Sequence, residues 1–415
     1  MFDIMDDLVA KGKKRLKWAR DHMPVIERVK EEIFEEGYLE GKNISMALHV
    51  EAKTGILALS LSEAGANVKM SSCNPLSTDD SVAEALREEY GMDVYAKRGQ
   101  SDEEYYENLN KTLTHDPDVI IDDGGDLISL IHTEREDLIE GIAGGAEETT
   151  TGVVRLRAME KDGALRFPVM SVNDALMKHL FDNRYGTGQS TMDGIMNATN
   201  LQISGKSFLV VGYGWCGRGI AMRAKGMGAD VMVSEVDPVK AVEARMDGFE
   251  VLPTKEGAEK ADFVVTVTGC KDAMYEEAIK RAKDGCVLSN AGHFDNEISK
   301  ESLEELSNSK RKVRDEIMEY QMEDGRTLYL LSEGRLVNLA AGQGHPAEIM
   351  DMSFALQMKS AEYVVKNEGL EPKVHPIPRD IDEEVASMKL ESEGIEIDSL
   401  TEEQKRYIEN WKEGT

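Results

Sequence analysis

Ser207-Phe-Leu-Val-Val-Gly-Tyr-Gly-Trp-Cys-Gly-Arg-Gly219 is the stretch on which the reading of this chain turns. Phe208 to Val211 form a short apolar run of the kind that makes a buried parallel strand. The run breaks at Gly212-x-Gly214-x-x-Gly217, and a helical pattern follows at once to Gly226. A second strand, Asp230 to Ser234, ends on Glu235 with Asp237 close behind. In this order of strand, glycine turn, helix, strand and acid, the glycines permit the turn. They also let backbone N–H groups approach a pyrophosphate and let the helix sit close on the strand. The helix N-terminus favours the negative charge. Glu235 stands near the usual offset for an acid that binds ribose hydroxyls, and it should repel a 2′-phosphate, so NAD is the expected cofactor rather than NADP.

The same unit continues outward through Phe263-Val-Val-Thr-Val-Thr-Gly269 and Gly285-Cys-Val-Leu-Ser-Asn290, two strands that end in small or polar residues. Residues 327 to 345 read as a strand pair followed by Asn338 to His345. Upstream, residues 1 to 40 carry apolar residues at helical spacing, among them Ile4, Leu8, Leu16, Val25, Val29 and Ile33, with Pro24 starting a second helix. Strands are expected at 44–49, 67–71, 93–96, 119–122 and 167–172, with helices between them. The fold class is therefore α/β: an open α/β substrate-binding domain with an inserted Rossmann NAD-binding domain. The expected boundaries are 1–183 for the first part of the substrate domain, 184–345 for the cofactor domain, 346–380 for the return, and 381–415 for a C-terminal helical segment. Such sheets bind ligands at the carboxyl ends of their strands. His49, Cys73-Asn74 and Asp122-Asp123 stand at those ends and should line one cleft. Lys178 and Asp182, four apart, should share a helix face. Taken alone they also read as a solvated ion pair, and His49 alone as either core or site.

Composition narrows the function. The 415 residues hold 49 Lys plus Arg against 79 Asp plus Glu, a net charge of −30. That excludes a nucleic-acid partner, which needs a basic surface. Cys73, Cys216, Cys270 and Cys286 have no CxxC spacing, so no zinc or redox motif is read and no metal is assigned. Few scattered cysteines, and the lack of an apolar run long enough for a membrane span, predict a reduced, cytoplasmic protein without membrane attachment.

Beyond the glycine loop, ordered blocks resemble the S-adenosylhomocysteine hydrolase family. They are Leu48-His49, Ser72-Cys-Asn-Pro-Leu-Ser-Thr78, Asp122-Asp-Gly-Gly-Asp126 with Leu130-Ile-His132, and Glu147-Glu-Thr-Thr-Thr-Gly152. Asn173-Asp174, Lys178, Phe181-Asp-Asn183, Val267-Thr-Gly-Cys270, Gly292-His-Phe-Asp295, Glu333-Gly-Arg-Leu-Val-Asn-Leu339 and Gly344-His-Pro346 follow. The resemblance implies a tightly held NAD, reduced and reoxidised within one turnover with no net redox change. It implies a homotetramer, and a small-molecule substrate whose thioether is cleaved after oxidation of the ribose 3′-hydroxyl. It places Lys178, Asp182 and Glu148 on the ribose hydroxyls, Asp123 and His49 around C4′ and C5′, and His293 against the sugar. Leu48, Glu51, Lys53, Thr54 and His345 become substrate contacts. Thr149, Thr150, Thr151, Asn183, Gly212, Gly214, Gly217, Glu235, Thr268, Asn290 and Asn338 become cofactor contacts. His179 matches no block and reads as surface or structural; His132 is given a packing role.

The chain departs from the family at the base-recognition stretch. Adenosine-specific members run His-x-Thr-x-Glu-Thr, the glutamate accepting from the 6-amino group of adenine. Here the stretch is His49-Val-Glu-Ala-Lys-Thr54, and Lys53 offers only donors. Hypoxanthine presents a 6-carbonyl and an N1–H, which Lys53 and Glu51 would suit. The expected substrate is accordingly S-inosylhomocysteine, as in the branch of the family found in methanogenic archaea. The alternatives are a conventional adenosyl substrate, with Lys53 turned to solvent or paired with Glu51, and a non-catalytic NAD-binding homologue. Asp79 replaces a more usual glutamine without an evident reason. The tail that carries a Lys and Tyr in many members is missing, with Lys412 as a partial substitute.

Overall fold

The computed structural model describes residues 2–411, with side chains from residue 6 onward; the side chains of Ile4 and Lys412 lie outside it. Two sheets organise the chain. The first has seven strands in the order Val374–Pro376, Val169–Ser171, Gly144–Glu147, Val119–Asp122, Asn43–Ala47, Asn67–Ser71, Asp93–Tyr95. All its pairings are parallel. The last strand in the chain returns to this sheet's edge from beyond the second sheet. Strand alternation splits its core: Ile44, Met46, Val119 and Ile121 face one apolar cluster, while Ala47 and Ile120 face another with Leu127 and Ile131. Each of these Ile, Leu, Met and Val side chains contributes about 1.5–3 kcal/mol by leaving water.

The second sheet has eight strands in the order Ser307–Arg314, Ile317–Met322, Thr327–Leu331, Val287–Asn290, Phe263–Thr266, Ser207–Val211, Asp230–Ser234, Glu250–Val251. The six from Thr327–Leu331 to Glu250–Val251 are parallel, as in a Rossmann sheet. Phe208 stacks on Phe263 with ring centroids 5.8 Å apart, tying the two central strands. The expected strand pair after residue 327 is a single strand there. Its antiparallel partner precedes it, at Ile317–Met322, which pairs in turn with the edge strand Ser307–Arg314. The edge strand Ser-Asn-Ser-Lys-Arg-Lys-Val-Arg314 is exposed along almost its whole length, so it carries no apolar alternation to betray it. Its lysines and arginines instead protect an open edge.

In the first sheet, and among the six parallel strands of the second, the strand order reverses at one point, between Asn43–Ala47 and Val119–Asp122 in the first and between Ser207–Val211 and Phe263–Thr266 in the second. Ligands of open α/β sheets settle in the crevice at such points. Asp79 has an ordinary structural reason: it caps the helix Asp80–Glu88, accepting from Ser81 N at 3.0 Å, and pairs with Arg15. Among the described residues no helix is long and apolar enough to cross a membrane.

Candidate active site

A cavity of about 1100 Å³ lies where the carboxyl ends of the two sheets face each other. The first sheet supplies His49 and Asp123 from adjacent strand ends. His49 Nε2 stands 3.5 Å from Asp123 Oδ2, and His293 Nδ1, from the second sheet, stands 3.7 Å from Asp123 Oδ1. His49 Nδ1 is 2.7 Å from Ser77 Oγ. Burial drives the His49 pKa down to about 4 against the opposing pull of Asp123, so the ring is neutral at neutral pH.

Lys178, Asp182 and Asn183 form the second cluster. The expected α-helix is here a π-helix, His179–Gly186, following a short α-helical turn, Leu176–Lys178. The wider winding serves the site. Lys178 Nζ donates to Asn183 Oδ1, five residues on, at 2.8 Å, while staying 3.5 Å from Asp182 Oδ2. Glu148 Oε1 lies 3.4 Å from the same ammonium. Burial alone would discharge Lys178, but Asp182 and Glu148 outweigh it and raise its pKa. Asp182 is also buried, yet Lys178 and His345 hold its carboxyl well below the usual range. Glu148 goes the other way. Burial, with the charge of Asp182, lifts it to about 8 despite Lys178, so it carries a proton at neutral pH.

Helix Ala347–Lys366 completes this cluster from across the sequence. Ser353 donates to Asp182 Oδ2 at 2.8 Å and Gln357 donates to Glu148 Oε2 at 2.5 Å, while Met350 and Phe354 line the wall. His345 Nδ1 lies 2.8 Å from Asp182 Oδ1. The apolar periodicity of this helix marks a core element, and nothing local in it marks Ser353 or Gln357 as site residues.

On the cofactor side, Gly212 has φ +106° and Gly214 faces open space. Helix Trp215–Gly226 begins directly after them, presenting its N-terminus to the cavity. A Cβ on Gly217 would overlap Gly212 O, so this glycine packs helix on strand and does not line the wall. Glu235 closes the far end, its carboxylate accepting from Tyr213 N at 2.7 Å and Val236 N at 2.7 Å. Thr149, Thr150, Thr151, Asn183, Thr268 and Asn338 line the wall between, and the buried Asn338 Oδ1 has no hydrogen-bond partner among the described residues. A glycine cradle, a helix N-terminus, a ribose acid and an orphaned amide oxygen in one cleft suit a dinucleotide with NAD's free 2′-hydroxyl.

Leu48, Glu51, Lys53, Thr54 and His345 also line the cavity. Besides Gly217, two expected placements fail. Asn290 does not reach the wall. It is fully buried, donates to Phe294 O at 2.8 Å and Gly334 O at 2.9 Å, and accepts from Gly292 N at 2.7 Å. It therefore fixes the loop that carries His293 instead of facing a cofactor. His179 does line the cavity, its ring 5.3 Å from that of Trp215 in the glycine loop. His132 is a packing residue, its Nε2 accepting from Arg166 N at 3.1 Å.

So equipped, the molecule is an enzyme that holds NAD on one sheet against a substrate site on the other. Comparison with known proteins gives the particular family. The description S-adenosyl-L-homocysteine hydrolase matches residues 2–138, and the NAD binding domain of S-adenosyl-L-homocysteine hydrolase matches residues 183–344. The chain is 60% identical to an adenosylhomocysteinase of Thermoplasma volcanium, over 98% of this chain and 99% of that one. It is 57% identical to an S-inosyl-L-homocysteine hydrolase of Methanocaldococcus jannaschii over the full length of both, and 55% identical to one of Methanothermobacter thermautotrophicus over 98% of each. The chain belongs to the S-adenosyl-L-homocysteine hydrolase family.

Proposed function

We propose that this enzyme reversibly hydrolyses S-inosyl-L-homocysteine to inosine and L-homocysteine. The observation that carries the choice of purine is Lys53. Its ammonium is buried at the cavity wall, 2.6 Å from Glu51 Oε2 and donating to Gln343 O at 2.8 Å. An ammonium has three N–H donors and no acceptor. With two directed at protein oxygens, the third has no partner among the described residues and can meet a purine 6-carbonyl. A 6-amino group would set donor against donor, at about 1–3 kcal/mol for each group left unpaired. Glu51 is less free than its sequence position suggests, because its carboxylate caps helix Ala52–Glu63 through Lys53 N and Thr54 N. Its role is to hold Lys53, which shifts the purine reading onto the lysine. The Glu51–Lys53 pairing also favours a second reading: a conventional adenosyl substrate read by backbone groups, in keeping with the name of the Thermoplasma relative.

Bound NAD supplies reversible hydride transfer at the ribose 3′ carbon. Gly212, Gly214, Glu235, Asn183, Thr268 and Asn338 are assigned to hold it. Lys178 and Asp182 take the ribose 2′- and 3′-hydroxyls, Lys178 exchanging the O3′ proton, and protonated Glu148 donates to the same diol. With C3′ oxidised, the C4′–H is acidic. Asp123 and neutral His49 stand together to take that proton as the C5′–S bond breaks and homocysteine leaves. They return it when water adds at C5′. General acid–base help of this kind contributes about 10²–10⁴-fold per group. A homotetramer is part of the proposal, supported by the wholly exposed helix Glu402–Glu409 with Tyr407 and Ile408 facing outward. Light scattering tests it, and a monomer would remove it.

The decisive experiment is the synthetic direction. NAD-loaded enzyme is mixed with homocysteine and either inosine or adenosine, and thioether formation is followed by chromatography. Product with inosine and little with adenosine is the expected result, with Lys53→Glu moving the preference toward adenosine. Equal rates with both purines, unchanged by Lys53→Glu, would refute the pairing argument.

A further inference from the structure

His49, Cys73 and Asp123 follow three neighbouring strands of the first sheet, Asn43–Ala47, Asn67–Ser71 and Val119–Asp122. Cys73 is absent from the chemistry above, yet its Sγ lies 3.4 Å from His49 Nδ1 and 3.5 Å from Asp123 Oδ2. One donor atom from each of the three residues lies within 4.8 Å of the other two. Cys73 and Asp123 are buried, and Asp123 Oδ1 has no hydrogen-bond partner among the described residues. A tetrahedral ion with bonds of about 2.0–2.3 Å holds its ligand atoms roughly 3.3–3.8 Å apart. The two separations from Cys73 fall in that range. His49 and Asp123 also line the cavity, so a fourth position opens toward water.

We propose that His49, Cys73 and Asp123 bind a thiophilic divalent cation of the zinc and cadmium class, and that its binding and turnover exclude each other. An imidazole, a thiolate and a carboxylate suit such ions. Magnesium and calcium, which take oxygen ligands, are excluded. Binding needs no redox partner: the Cys73 thiol gives its proton to solvent and its sulfur lone pair to the metal, while the carboxylate and the neutral imidazole donate theirs. Because the thiol must lose its proton to bind, affinity rises with pH. The exclusion follows because a metal on Nδ1 takes the single free lone pair of the neutral His49 ring, and one on Oδ2 draws charge from the Asp123 carboxylate, so the pair loses the basicity needed for the C4′ proton; this half rests on the roles proposed above.

The test is a titration of the NAD-loaded enzyme with Cd²⁺, reading the ultraviolet thiolate-to-metal charge-transfer band and the initial rate together. The expected result is one Cd²⁺ per chain, band and inhibition rising in step, and both reversed by a chelator. Cys73→Ser should weaken binding by about 100-fold or more, at least what loss of an outer-shell partner costs. Cys216→Ser and Cys270→Ser should keep the wild-type band. Absence of a band, or a band that survives Cys73→Ser and disappears in either other variant, overturns the site. A full band with an unchanged rate overturns the exclusion. If His49→Gln turns over normally while the band still depends on Cys73, the fault lies in the proposed role of His49 and not in the metal site.

Discussion

Gly188 opens the helix Thr187–Thr199, directly after the π-helix that positions Lys178, Asp182 and Asn183, and it faces Gly219 in the glycine-loop helix Trp215–Gly226. A Cβ built on Gly188 would lie 2.6 Å from Gly219 C and O, both backbone atoms that cannot rotate aside. Ordinary contact needs about 3.5–4.0 Å, so Gly188→Ala must part the two helices by about 1 Å. One side of that contact carries the cofactor turn and the other the ribose-binding residues. A misplacement of about 1 Å can cost 100-fold in rate, and overpacking costs about 1–3 kcal/mol, of which alanine's helix preference returns up to about 1. The variant should therefore unfold at lower temperature, lose NAD on gel filtration, and show kcat reduced by about 10–100-fold. Gly226→Ala is the control. No heavy atom lies within 4 Å of its added Cβ, so it should be neutral or slightly stabilising and fully active. Gly188→Ala with wild-type midpoint, cofactor content and kcat would refute the argument that this contact sets the distance between the two halves of the site.

Other consequences are open to direct measurement. Asn290→Ala should keep NAD bound but lower kcat, since Asn290 ties down the His293 loop; loss of NAD as the primary effect would mark it a cofactor contact after all. With Glu148 protonated up to about pH 8, kcat should fall as pH rises past that value. Gln357→Leu, which removes a hydrogen bond that favours the carboxylate, should move that limb to higher pH; a limb unmoved by it would dissociate Glu148 from the profile. Stability of the cofactor-free chain should decline from about pH 6.5 to 8. Glu148, at about 8, Asp122, at about 7, and Glu147 bind protons more tightly when folded than unfolded across that window, so raising the pH favours unfolding. Below it, His49, His115 and His132 are held neutral by burial and act in the opposite sense. A urea midpoint that rises between pH 6.5 and 8 would contradict the assignment.

The residue order by itself determined the class of fold, the cofactor turn and most of the cavity wall. Strand, glycine turn, helix and acid are encoded in consecutive side chains: Phe208 to Val211 must be buried, Gly212 must take a positive φ, and Glu235 follows the next strand wherever that strand lies. Strand ends are legible in the same way, so His49, Cys73 and Asp123 could be gathered before their distances were known. Tertiary structure decided what depends on partners distant in sequence. It wound 179–186 as a π-helix, which placed Lys178 on Asn183 as well as near Asp182. It also brought Ser353 and Gln357 to carboxyls some two hundred residues earlier. Asn290 turned inward because five polar atoms of its own neighbourhood needed satisfying, which a strand-end pattern does not record. The burial that neutralises His49 and protonates Glu148 is likewise a property of the assembled cleft. Local patterns fix where the chain bends and which face is apolar; only packing fixes which polar atoms lose water together, and with whom they pair.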